Sequence, residues 1–112
     1  MPKFLAVFTG SPEANKAVTP PDEATIAKGL AAWTAWMQRH GASVVEPGGP
    51  LGKTKKVSKA GIADISNYLA GYLVIEAESH EAAAKMFEGH PHFTIFPGEG
   101  VEIMPVLPVP NA

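Results

Sequence analysis

The chain of 112 residues has no cysteine, which excludes disulfides, thiolate metal sites and cysteine nucleophiles together. Charge is also sparse: charged residues make up 18% of the chain, and the formal net charge is −2. No basic face is large enough to neutralise a nucleic-acid backbone, so no nucleic-acid partner is expected. No stretch approaches the roughly 20 apolar residues that span a bilayer. The apolar run Phe4 to Phe8 is too short for a signal peptide and leads into turn residues. A cytoplasmic location, with no membrane contact, is expected by default. Tryptophan, tyrosine and phenylalanine make up only 8% of the residues, yet 46% are hydrophobic in the broader sense, so a single packed domain over residues 1–112 is expected.

The apolar pattern reads as strand, helix, strand, then strand, helix, strand. Lys3 to Thr9 is the first strand, ended by Gly10-Ser11-Pro12, and Glu13 to Val18 reads as loop. Thr19 is placed to cap the first helix, with Pro20 at its first position and Asp22 and Glu23 at its positive end. Ile26, Leu30, Trp33 and Met37 then form its apolar face, Gly29 weakens it by about 1 kcal/mol relative to alanine, and Gly41 ends it in a left-handed cap. Ala42 to Glu46 reads as the second strand and Pro47-Gly48-Gly49-Pro50 as a turn. Leu51 to Ala70, with Lys53, Lys55, Lys56 and Lys59, reads as an exposed arm or hairpin.

The unbroken apolar run in Gly71 to Ala77 predicts a central strand buried on both faces. Ser79 caps the second helix, Ala82, Ala83, Met86 and Phe87 supply its apolar face, and Gly89 closes it. His90 to Gly98 reads as loop, and Gly100 to Val106 as the last strand. This order is that of an α+β ferredoxin-like β-α-β-β-α-β domain, an antiparallel sheet with both helices on one face. The bare face requires a cover, and a second copy meeting it would supply one, so a homodimer is expected.

The chain contains, in order, Ala32-Trp33-Thr34-Ala35-Trp36, Gly49-Pro50-Leu51, Gly71-Tyr72-Leu73-Val74-Ile75-Glu76-Ala77 with Ser79-His80-Glu81-Ala82-Ala83, and Gly100-Val101-Glu102-Ile103-Met104-Pro105-Val106. Together these strings resemble the YCII-related family and its DGPF relatives. The resemblance implies a dimeric α/β-barrel fold with a cleft between sheet and helices that some relatives are suspected of using for catalysis. In the smaller members the suspected pair is a histidine inside helix one and an aspartate in an Asp-Pro-Phe or Asp-Gly-Pro-Phe string. Here the corresponding helix reads Lys28-Gly29-Leu30-Ala31, the Asp-Gly-Pro-Phe string is absent, and the nearest aspartate is Asp64.

His90-Pro91-His92 is the sharpest polar constellation. Two imidazoles can serve as general acid and base near neutral pH, with Asp64 as an orienting carboxylate. The plain alternative makes His90 a partner of the helix-two dipole and His92 a surface residue. Trp33 and Trp36, three apart on helix one, can line a pocket with Tyr72 and Phe87, Tyr72 offering its hydroxyl; the plain alternative is core. His40 reads as a dipole partner and His80 as exposed. Glu76 and Glu102 gain interest only if they point into the helix-side cleft. No metal is expected, since the histidines lack the paired helical spacing of zinc enzymes. The Gly48-Gly49 turn lacks the pattern of a phosphate loop. The sequence thus points to a small organic ligand bound in a sheet/helix cleft, with cofactor-independent acid/base chemistry, or, in the alternative, to a non-enzymatic dimeric binding module.

Overall fold

Strand-length apolar runs and two capped helices assemble as that order requires. The computed structural model describes residues 1–12 and 22–110. Strand β1 (Lys3–Thr9) is followed by helix α1 (Glu23–His40), strand β2 (Val44–Pro50), the hairpin β3 (Thr54–Ser58) and β4 (Gly61–Ile65), and strand β5 (Leu69–Glu76). Helices α2 (His80–Lys85) and α3 (Pro91–Thr94) and strand β6 (Gly100–Pro105) complete the chain. The main sheet has the order β2-β5-β1-β6, every neighbour antiparallel, and the hairpin forms a separate two-stranded sheet. This is the ferredoxin-like arrangement, with the hairpin inserted between its second and third sheet strands.

Side-chain alternation divides the sheet. Phe4, Ala6, Phe8, Leu73, Ile75 and Ala77 lie on the helix-covered face and join Trp36 of α1 and Ala83 and Phe87 of the α2 segment in one buried cluster. The Trp36 indole N–H donates to the Met86 carbonyl at 2.8 Å, tying α1 to the end of α2. The strand is central, between β2 and β1, and the opposite face of β5, Tyr72, Val74 and Glu76, is half-buried within one chain, while Val7 beside Tyr72 is 9% exposed.

Several local expectations change as well. Asp22 caps α1, its carboxylate accepting from the Thr25 N–H at 2.7 Å; Thr19 and Pro20 lie outside the described residues. Gly41 is right-handed, at φ −57°, because the chain tightens into a single 3-10 turn over Gly41–Ser43 instead of reversing. Gly89, at φ +69°, does provide the left-handed step after α2. The face of α1 turned inward is centred on Gly29 and Trp36, while Leu30 is 58% exposed and Ile26 is exposed too. Pro47 to Pro50 belongs to β2, whose irregular pairing with β5 absorbs the prolines. Gly48 sits there at φ +59°, where a Cβ would collide with the Tyr72 carbonyl.

Candidate functional site

Between α1 and one end of the sheet lies a cavity of about 380 Å³. Phe8, Trp33, Met37 and Phe96 form its apolar walls, Leu30 and Pro47 lie at its border, and His92 brings an imidazole to it. The exposure of Leu30 is thereby explained: it looks onto this opening rather than into the core. Gly29 makes the cleft possible, because the Phe96 ring lies where an alanine methyl would stand.

The two histidines are held by the start of α3. His90 is the N-cap, and its Nδ1 accepts the His92 backbone N–H at 3.0 Å. Pro91 follows at the first helical position, where a missing N–H costs nothing. The expected loop is therefore a short helix whose cap is an imidazole. Because Nδ1 of His90 is an acceptor, the neutral ring must carry its proton on Nε2. That nitrogen is buried with no hydrogen-bond partner among the described residues, amid the rings of Phe8, Trp33, Trp36 and Phe87. Burial, reinforced by the nearby His92 and His40, pushes the His90 pKa down to about 4. His90 is thus neutral at physiological pH, with its lone pair already used. Its Nδ1 holds the His92 backbone, an arrangement that suits a positioning residue better than the expected acid or base.

His92 is 8% exposed rather than a surface residue. Its Nε2–H donates to the Thr9 carbonyl at 2.8 Å, and that carbonyl also receives the Glu99 N–H at 2.9 Å. With Nε2 committed as donor, Nδ1 is the nitrogen with a lone pair to offer. The His92 ring packs against Gly98, where any Cβ would strike it. β1, α3 and the 98–100 segment together fix this imidazole.

The other candidates separate. Trp33 lines the cavity, whereas Trp36 is 2% exposed and belongs to the core. Tyr72 borders the cavity, but alternation sends its side chain to the sheet face opposite Gly71 and Leu73, opposite Val7, so its main chain is what faces inward. Asp64 stands on the exposed hairpin, 2.7 Å from the Lys55 ammonium, and does not join the histidines. Glu102 pairs with Val7 and Glu76 with Lys3, on the face away from the helices. His40 stacks on Trp36 with its pKa lowered by burial and then by Arg39, which opposes the role of a charged dipole partner. His80 is exposed as expected, resting on Phe4 and bonded to the Ile103 carbonyl. Phe96 and Phe8 were not anticipated in the site; their signal lies only in tertiary proximity. Among the described residues, no group of three or more metal-ligating side chains is gathered, and no helix is long and apolar enough to cross a membrane.

No protein-family model matches the chain, and no curated protein does. Among solved structures it is similar to 5-chloro-2-hydroxyhydroquinone dehydrochlorinase (TftG) from Burkholderia phenoliruptrix AC1100, in complex with 2,5-dihydroxybenzoquinone. The identity is 19%, the match covers 91% of this chain and 90% of that one, and the TM-score is 0.55. The likeness is one of fold: an α+β, ferredoxin-like chain with a distant relation to that structure.

Proposed function

We propose that this chain is a small-molecule-binding protein of the YCII-related type, which takes a planar phenol-sized ligand into the cavity between α1 and the sheet. One observation carries the reading: aromatic walls enclose a space within the range of ligand sites, about 300–1,000 Å³, and a single fixed imidazole, His92, faces it. A flat ring suits such walls, since Phe8, Trp33 and Phe96 offer ring faces and edges. The dihydroxybenzoquinone in the TftG complex is a ligand of this shape and polarity, and supports the choice.

The chemistry is proton transfer without an organic cofactor. The His92 Nδ1 accepts a proton from a ligand hydroxyl, and the Thr9 carbonyl, already bound to Nε2–H, steadies the imidazolium that forms. His90 acts through His92, as its positioning residue. The position of Asp64 favours a second reading, a binding module without turnover, because the expected orienting carboxylate stands on the exposed hairpin, paired with Lys55. The working unit is a homodimer that covers the open sheet face.

A panel of phenols and hydroxyquinones, titrated against the Trp33 fluorescence, tests binding. His92→Gln can still donate to the Thr9 carbonyl but is a far weaker base. It should fold normally and lose affinity at least tenfold for ionisable phenols. Equal affinity in the variant removes the proposed role of His92, and proton release or product formation separates catalysis from binding alone.

A further inference from the structure

We infer that the β3–β4 hairpin is a clasp that lies across the open sheet face of a second copy of this chain. The inference rests on the homodimer proposed above and names what holds it.

The hairpin is fully paired, from Thr54 with Ile65 to Ser58 with Gly61, yet nearly every residue on it is exposed. An isolated two-stranded hairpin is marginally stable in water and requires a surface to pack on. Its cross-strand pairs put Val57 and Ile62 on one face, beside Lys55 and Asp64. Val57 is 75% and Ile62 73% exposed, a β-branched pair with nothing over it. At the foot of the arm, Leu51, Ile65 and Leu69 are also exposed, around a concave junction, with Ile65 on the hairpin face opposite Val57 and Ile62.

The open face of the main sheet has the matching character. Val74, Leu5 and Met104 stand in one cross-strand row, and Tyr72 and Val7 in the next. Glu76 and Glu102 lie on the same face, against one lysine, Lys3. Two such faces brought together alone would set carboxylates against carboxylates. The arm carries Lys53, Lys55, Lys56 and Lys59 against a single Asp64, in a chain whose formal net charge is −2, so the rest of the molecule is acidic. A basic arm with an apolar centre therefore complements an acidic-rimmed apolar sheet, and a second copy supplies both surfaces symmetrically.

Sedimentation equilibrium of the full chain tests this. The wild type should be a dimer whose dissociation constant rises with salt. Lys53→Glu with Lys59→Glu, changes at exposed positions outside the paired strands that leave the fold intact by circular dichroism, should raise that constant at least tenfold. Val57→Glu with Ile62→Glu should act in the same direction. Adding Glu76→Lys and Glu102→Lys to the lysine reversal should recover most of the loss. A dimer whose constant is the same in both arm variants overturns the clasp and leaves the dimer standing. A wild-type monomer overturns both.

Discussion

His90 and His92 are two residues apart and share one short helix, but their nitrogens have opposite tasks. The depressed pKa of His90 has a consequence for stability. Unfolded, the ring binds its proton near pH 6.5; folded, it does so only near pH 4. Between these values the unfolded state holds more protons, so stability is complete above about pH 6.5 and falls as the pH drops toward 4, by at most about 1.4 kcal/mol per pH unit from this group. Denaturant melts at stepped pH should show this decline, and His90→Gln should flatten part of it. His40, also lowered, contributes in the same direction. The two tryptophans give a second residue-scale expectation. Trp36→Leu should cost about 2–4 kcal/mol, since it empties core volume and orphans the Met86 carbonyl. Trp33→Leu should change stability far less and weaken ligand binding; equal stability losses in equilibrium unfolding would contradict this division.

At the scale of the element, α1 carries a glycine for a reason its helix propensity hides. Alanine at position 29 gains about 1 kcal/mol of helix propensity, but its methyl occupies the place of the Phe96 ring. Gly29→Ala should therefore fail to stabilise the wild type and should reduce ligand affinity by shifting Phe96. In a Phe96→Ala background the same change should stabilise by up to about 1 kcal/mol. A double-mutant cycle with no coupling would contradict the contact. In β2, Gly48→Ala meets both a positive φ and the Tyr72 carbonyl, and should cost about 2 kcal/mol or more in chemical denaturation. Asp22→Ala should lower the midpoint of chemical denaturation, as loss of a helix cap does.

At the scale of the molecule, the layers are unequal. The described chain measures 52 × 40 × 18 Å, thin along one axis because helices cover only one side of the sheet. The cavity lies on the covered side and the proposed dimer contact on the bare side, so ligand and partner need not compete. A ligand at one hundred times its dissociation constant should stabilise the fold by about 2.7 kcal/mol. Thermal unfolding with and without a saturating phenol should register this as a raised midpoint, at unchanged protomer concentration.

Local patterns in the chain determined much of this. The apolar runs at Lys3 to Thr9 and Gly71 to Ala77, the Ser79 cap and the left-handed Gly89 are near-neighbour chemistry, and they fix the order of strands and helices. The lysine-containing segment also announced itself as an arm or hairpin, because it lacks a buried face. The partner of each polar group was not legible. His92 meets the carbonyl of Thr9, 83 positions away, and no local pattern records such a meeting. Neither Asp64 nor the Tyr72 side chain joined the histidines, since strand alternation and the hairpin's separate sheet turned them elsewhere. The sequence by itself determined which backbone elements form, because hydrogen bonding and apolar periodicity act over a few residues. Only the tertiary structure decided which partner each histidine nitrogen takes, because that depends on acceptors and rings brought together from distant parts of the chain.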